Sequence, residues 1–287
     1  RSKNVDAMTW LARLDLDYTL EAERSVARYL HQGPLRILQS LYPEGDAVCH
    51  NVLVHPPSGL VGGDTLDMHV TVGAGAHGLV TTPGATRFYR SDAGLATQQV
   101  HARVEGGARL EWLPLEAIAY NGCDALNRAV FDLAPGAEMM TWDITALGLP
   151  AADLPFAQGT FRQHLEIPGP KGPIWLERGT LNATDTRLMD SPLGLAGQRC
   201  MATLVFAAGS AIAAERADRA LACARELIEA SSLRLTAGAT SPHKQIIVLR
   251  VLSPVTEPAM QLLRQVWAAW RQEMWGLAGN VPRLWNL

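Results

Sequence analysis

Alternation of apolar and polar residues, cut at regular intervals by a Gly-Ala pair, constrains this chain more than any other feature. In Thr65–Val72 the apolar Leu66, Met68, Val70 and Val72 alternate with Asp67, His69 and Thr71. Thr97–Val104 sets Val100, Ala102 and Val104 against Gln99, His101 and Arg103. Phe161, Leu165 and Ile167 continue the pattern, with Gln163 as its exception. A period of two places one face of a strand in a core and the other in water. Strands of a parallel sheet covered on both faces would read as continuous apolar runs, so antiparallel strands are expected. Further strands are expected at Ala47–Val54, Leu79–Thr82, Arg109–Leu113, Arg128–Leu133, Glu138–Ile144, Ile174–Leu181, Met201–Ala207 and Gln245–Leu252.

Gly75-Ala76, Gly107-Ala108 and Gly136-Ala137 each fall between one expected strand and the next, spaced by 32 and 29 residues. Glycine supplies the positive φ of a tight turn, so each pair reads as a hairpin. Hairpins repeated at this spacing form a degenerate repeat and stack into an elongated body. The expected fold is mainly β, with elongated, antiparallel, β-helix-like stacks of hairpin sheets and a small C-terminal helical part. Two helices make up that part. Ala214–Ser231 carries Leu221, Ala224, Leu227 and Ile228 on one face. Thr256-Glu257-Pro258 combines an N-cap, an acid and an early proline, opening a helix that runs to about Gly276. Its stripe is Ala259, Leu263, Val266, Trp267, Trp270 and Met274, with Trp275 and Trp285 beyond. Such a stripe reads first as core, although tryptophan is also favoured at interface hot spots. Residues 1–8 (RSKNVDAM) read as a processing product or expression remnant. A single unit is expected over 9–287, β-rich from 9 to 210 and helix-containing from 211 to 287.

The glycines also spell a motif, for Gly73-Ala74-Gly75-Ala76-His77-Gly78 is G-x-G-x-x-G. A dinucleotide site needs a helix directly after that loop. Here Leu-Val-Thr-Thr-Pro-Gly follows, β-branched and closed by Pro83, so a dinucleotide-dependent oxidoreductase is the weaker alternative. The patterns G-x-x-x-x-G-K-[ST], G-x-S-x-G and H-E-x-x-H do not occur. The net charge of -3 and the lack of a Lys/Arg cluster argue against nucleic acid. No apolar run is long enough to span a membrane. Cys49, Cys123, Cys200 and Cys223 form no C-x-x-C pair and read as reduced thiols of a cytoplasmic protein. The eight histidines show no ligand spacing, and Cys49 and His50, as strand neighbours, point to opposite faces. A β-rich module for a small ligand is the other alternative, disfavoured by an aromatic content of 6%. Asp143 in TWDI and Glu177 in WLER sit in apolar strand surroundings, where carboxylates need partners. Arg178 faces away from Glu177, so something else must satisfy that acid.

Several stretches occur in a specific order: Gly33-Pro34-Leu35, LYPEG (41–45), CH (49–50), HPPSGLVGGD (55–64) and TTPGATRFYRS (81–91). LEWLPLEAI (110–118), GLPAADLPFAQG (148–159), the Glu177-Arg178 pair and PRLW (282–285) follow. Together they resemble the UreD family of urease accessory proteins, called UreH in some organisms, over residues 33–287. Pro83-Gly84 stands where Gln-Ala is common, Ser58 where Gly is usual and Leu115 where Gln is usual. The resemblance implies a non-enzymatic chaperone that acts with UreF and the GTPase UreG on apo-urease. It implies no tightly bound cofactor, but nickel in transit through a water-filled route toward the dinuclear metallocentre. Carried onto this sequence, the polar lining is expected at Asp64, Asp143 and Glu177. Thr86, Arg87, Tyr89 and Arg90 are expected to orient that lining or a partner surface. Contact with UreF is expected at Trp267, Trp270, Arg271, Trp275, Arg283 and Trp285.

Overall fold

The computed structural model describes residues 9–92 and 94–286. The chain opens with β1 (Leu11–Glu21), β2 (Arg24–Gln32), β3 (Arg36–Leu41), β4 (Cys49–Val54) and β5 (Gly59–Leu60). The repeating part holds β6 (Thr65–Val72), β7 (His77–Thr81), β8 (Thr86–Phe88), β9 (Ala96–Val104), β10 (Arg109–Leu113), β11 (Ala117–Ala119), β12 (Cys123–Leu133) and β13 (Glu138–Leu149). It ends with β14 (Leu154–Pro155), β15 (Gly159–Ile167) and β16 (Trp175–Asn182). After the short α1 (Thr186–Asp190) come β17 (Cys200–Ala208), α2 (Ala214–Glu229), β18 (Ala237–His243), β19 (Ile246–Ser253) and α3 (Thr256–Trp275).

The strands form two facing sheets. One runs in the order β16-β15-β12-β9-β6-β1-β2, the other β18-β19-β17-β13-β10-β7-β4-β3, with β8 and β11 in a short ladder at its side. The chain crosses from β6 to β7, from β9 to β10 and from β12 to β13, winding through both sheets once per rung. The mainly β, stacked and helix-flanked architecture is the expected one. The direction of pairing is not. Neighbours β1, β6, β9, β12 and β15 run parallel, as do β4, β7, β10 and β13. Antiparallel pairing is confined to the two ends of the stack. The alternation rule misled because it assumes crossover helices on both faces of a parallel sheet. Here each crossover is itself a strand of the facing sheet, so the first sheet keeps a face in water.

The three Gly-Ala pairs are therefore corners between sheets, not hairpins within one. Gly75, Gly107 and Gly136 have φ of +74°, +72° and +81°, and the alanine after each is buried. The corners stack, the Gly107 N–H donating to the Gly136 carbonyl at 3.2 Å. The G-x-G-x-x-G run belongs to the first of them. Strand β7 and not a helix follows it, and a Cβ on Gly78 would stand 2.6 Å from the Tyr18 ring. Beyond the expected strands stand β1 to β3, the short β5, β8, β11 and β14, and β18.

Facing side chains of the two sheets form one apolar core, including Leu14, Leu16, Met68, Val70, Leu110, Phe131 and Phe161. The second sheet's outer face carries α2 and α3, joined by a second core of Met140, Trp142, Leu204, Phe206, Leu263, Trp267 and Trp270. Both long helices stand where expected. Among the described residues, no helix is long and apolar enough to cross a membrane.

Candidate functional site

A line of polar side chains crosses the apolar space between the sheets. Parallel stacking without offset sets Gln98 of β9 beside Asn127 of β12, and Asn127 beside Gln163 of β15. Three carboxamides thus form a ladder on the inner face of the first sheet, one per rung. The Thr86 hydroxyl donates to Gln98 Oε1 at 3.1 Å, and Gln98 Nε2 donates to Asn127 Oδ1 at 3.3 Å. Asn127 Nδ2 then donates to Asp143 Oδ2 at 2.9 Å, and the Thr145 hydroxyl to Asp143 Oδ1 at 3.1 Å. On the facing sheet Asp143 is in register with Thr203, and Thr203 with Arg250. The Thr203 hydroxyl donates to Glu177 Oε1 at 3.2 Å, and Arg250 lies 3.4 Å from the same oxygen. These are the partners that the sequence required of Glu177 but did not name.

Cavities follow the same line. One of about 220 Å³ is lined by His55, Ser58, Thr82, Pro83, Gly84, Thr86 and Gln98. A narrow one of about 30 Å³, large enough for a water, is lined by Gln98, Asn127 and Asp143 together with Trp112 and Trp142. A third of about 330 Å³ is lined by Glu177, Thr203, Arg250, Gly194 and Thr236. Burial pushes the Asp143 carboxyl up, and the nearby Glu177 carboxylate pushes it further, to about 7 against the hydrogen bonds of Thr145 and Gln163. Burial likewise raises Glu177, opposed by Arg250 and Thr203. Two oxygens on this line are buried with no partner, Gln163 Oε1 and Glu177 Oε2. Buried polar atoms are normally paired, so these two carry unused acceptor capacity. Among the described residues, no set of three His, Cys, Asp or Glu side chains converges as a metal cage.

Asp143, Glu177 and Thr86 are thus brought onto one line. Asp64 is not. Both of its oxygens are committed to backbone, one accepting from the Val61 N–H of its own loop at 3.0 Å and the other from the Trp10 N–H ahead of β1 at 3.1 Å. It touches the line only electrostatically, opposing the burial that lowers the pKa of His55 in the first cavity. Arg87 and Arg90 are exposed, Arg90 pairing with Asp92 at 3.1 Å, while Tyr89 packs against Tyr120 with ring centroids 4.9 Å apart. Of the expected partner-contact set, Trp267, Trp270, Arg271, Trp275 and Trp285 are buried, and only Arg283 is exposed. Their rings fill the core between α3 and the sheet, where Trp285 packs on Trp142 and Trp267.

Arg271 has a role that the sequence reading missed. Its guanidinium, fully buried, lies 2.9 Å from Glu44 Oε2 and 3.1 Å from Glu111 Oε1. His50 meets Glu44 at 2.5 Å, His77 meets Glu111 at 2.7 Å, and the Trp267 indole donates to Glu111 at 2.6 Å. This clamp fastens α3 to β4, β7 and β10. Two signals were in the sequence: Arg271 interrupts the apolar stripe, and Glu111 interrupts the apolar run RLEWL.

The family described as UreD urease accessory protein matches residues 11–286. The chain is 63% identical over 280 residues to the "Urease accessory protein UreD" of Polaromonas naphthalenivorans (strain CJ2), covering 98% of this chain and 100% of that one. It is 62% identical over 280 residues, at the same coverage, to the protein so named in Paracidovorax citrulli (strain AAC00-1). With that of Methylibium petroleiphilum (strain ATCC BAA-1232 / LMG 22953 / PM1) it shares 49% over 295 residues, 97% of this chain and 100% of the relative. The two-sheet stack, its helical flank and these matches along nearly the whole chain agree: the chain belongs to the UreD family of urease accessory proteins.

Proposed function

We propose that this chain is a non-enzymatic accessory protein of urease maturation that works in the cytoplasm with UreF and the GTPase UreG on apo-urease. In this reading the line from Thr86 to Glu177 conducts nickel ions to the enzyme. One observation carries the proposal: a file of oxygen-bearing side chains crosses an otherwise apolar interior and contains two buried oxygens without partners. A divalent ion in transit needs carboxylates, amide oxygens, hydroxyls and water at moderate affinity, and a closed imidazole or thiolate cage would hold it. The carboxamide ladder offers neutral oxygens at each rung, and Asp143 and Glu177 offer charge where desolvation is greatest. Asp143, poised near neutrality, exchanges its proton for a cation at little cost.

The test is urease activation by the assembled accessory complex. Asp143→Asn and Glu177→Gln keep shape and remove charge, so they should leave the complex intact and lower the nickel delivered per urease. Asp64→Ala should act by loosening the loop at Val61, and so reduce activation less. Full activation by both Asp143→Asn and Glu177→Gln would sink the conduit.

A further inference from the structure

The two main sheets end in the outer strands β2 and β16, and β3 and β18. An outer strand is a template for pairing with another chain unless something blunts it. β18 contains Pro242 and shifts register between Thr240 and His243, and β3 shifts register between Ile37 and Ser40. β16 contains Gly179 and buries the acid Glu177. β2 has no such device: it is nine residues long, pairs with β1 without a register shift and contains neither glycine nor proline. Its two arginines are each held by an acid of their own chain, Arg24 by Asp46 at 3.5 Å and Arg28 by Glu21 at 2.6 Å.

The turn that joins β1 to β2 decides which backbone groups face outward. Ala22 and Glu23 have φ of +45° and +70°, as in a two-residue hairpin turn closed by a hydrogen-bonded pair, here Glu21 with Arg24. Bonded and non-bonded pairs alternate from there. Ser25, Ala27, Tyr29 and His31 therefore fall in non-bonded pairs, and their N–H and C=O groups point away from β1. Ser25 fits that phase, since its N–H donates to the Asp46 carbonyl at 2.9 Å and its carbonyl accepts from the Tyr42 hydroxyl at 2.9 Å. Among the described residues, nothing pairs with the outward N–H and C=O of Ala27, Tyr29 and His31.

We propose that β2 pairs with β2 of a second copy of this chain, antiparallel, about a two-fold axis at Tyr29. Tyr29 then faces the partner's Tyr29, and Ala27 faces the partner's His31 in both directions, each pair exchanging two bonds. Every outward group is satisfied, and the incoming strand ends at Gln32, opposite Val26, before it reaches the capped Ser25. An axis at Arg28 would set two guanidiniums face to face. An axis at Leu30 would leave Ala27 opposite Gly33, whose φ of +72° turns the chain off the strand. With the axis at Tyr29, Arg28 meets Leu30 twice and no like charges are directly opposed. Leu30, 77% exposed in the single chain, gains cover. The first sheet becomes continuous through both copies, and since β16 lies at its other end, the Glu177 side stays open in each. One strand pair buries less than the ~1,200 Å² of a stable interface, so the dimer dissociates on dilution.

Sedimentation of the full chain over a concentration series tests the pairing. Leu30→Glu puts an acid opposite Arg28 twice and should tighten the dimer about tenfold. Leu30→Lys opposes like charges and should weaken it about as much. Asp15, opposite Leu30 on β1, stays paired with Arg13 at 3.0 Å in both. His31→Pro removes an outward N–H that β1 does not use, so it should weaken the dimer at least about tenfold at an unchanged unfolding temperature. A chain that stays monomeric throughout, in Leu30→Glu as in wild type, overturns the proposal. So does a dimer indifferent to all three changes, which another surface then forms. Equal weakening by Leu30→Glu and Leu30→Lys overturns the axis at Tyr29. A monomer in which His31→Pro lowers binding to UreF–UreG or apo-urease gives the edge to another protein's strand and overturns self-pairing.

Discussion

Glu44 and Glu111, under α3, are as deeply buried as Glu177 between the sheets, yet their environments act in opposite directions. Burial pushes the Glu44 carboxyl up, but His50 and Arg271 outweigh it and hold it at about 2. Glu111 is likewise raised by burial and brought down overall by His77, Arg271 and Trp267. Asp143 sits near 7 and Glu177 is raised, with one oxygen of Glu177 unpaired. Each group sets two acids against one guanidinium, but the clamp adds His50, His77 and the Trp267 indole as partners and is a fastening. The file leaves one Glu177 oxygen without a partner, as the conduit reading needs. Burial alone would not have separated the two, whereas the count of partners does.

The sharpest way to break this comparison is to unbalance the clamp. Arg271→Ala leaves Glu44 and Glu111 facing each other across a void without their shared cation. Removing one partner of a buried ionic network costs about 3–5 kcal/mol, so thermal unfolding of the purified chain should shift strongly downward. Arg250→Gln, which removes a half-exposed guanidinium beside the buried Glu177, should cost less, about 1–3 kcal/mol. A smaller loss for Arg271→Ala than for Arg250→Gln would mean that α3 is held by its tryptophans alone.

Titration separates the two groups by sign. An unfolded glutamate ionises near 4.3 and Glu44 at about 2, so the clamp's contribution is complete above pH ~4.5 and lost as pH falls toward 2. For Asp143 the order is reversed, from about 3.9 unfolded to about 7 folded. Its carboxyl favours folding fully below pH ~4, and that contribution is lost as pH rises through 7. Asp143→Asn should therefore match wild type near pH 4 and exceed it by about 2 kcal/mol above pH 7, a figure reduced for partial exposure. Denaturant unfolding at both pH values measures this. A variant both more stable and less able to deliver nickel is the signature of a site maintained against stability. If Asp143→Asn were less stable at pH 8, the acid would be structural and belong with the clamp.

The sequence showed the two long helices, most strands and the corner glycines, because each depends on local periodicity and backbone preference. Pairing direction was not legible, since Thr65–Val72 has the same alternation whether its neighbour is a hairpin partner or the next rung. Strand β1 alternates as clearly, with Leu14, Leu16 and Tyr18 buried, but lies ahead of the first Gly-Ala corner, and β2 and β3 carry no such alternation. Within the site, Asp143 and Glu177 stood out as acids in apolar strands. The ladder of Gln98, Asn127 and Gln163 did not, because only stacking brings together residues so far apart in sequence. Gln163 had already broken its strand's alternation, and that exception was the local trace of the file. A helix stripe shows which face is apolar, not what covers it, so the tryptophans read first as core and only the resemblance turned them and Arg271 toward a partner.

The finest test of the comparison alters the acid's surroundings and leaves the acid in place. Thr145 is buried on β13, and its hydroxyl is one of the groups that oppose the raised pKa of Asp143. Thr145→Val keeps the shape and removes that donor, at a stability cost of about 1 kcal/mol. The Asp143 carboxyl should then titrate higher than in the wild type, by carbon-13 NMR of labelled aspartate, and the fraction ionised at neutral pH should fall. Nickel delivery should fall modestly at pH 7 and recover as pH is raised, since ionisation returns. Thr203→Val should do the same for Glu177 from the facing sheet. In the clamp, Trp267→Phe removes a comparable donor from Glu111, but His77 and Arg271 remain and keep that acid ionised. Its delivery should therefore be indifferent to pH over the same range. A pH-dependent recovery in Trp267→Phe, or its absence in Thr145→Val, would erase the distinction between an acid that is fastened and one that is kept available.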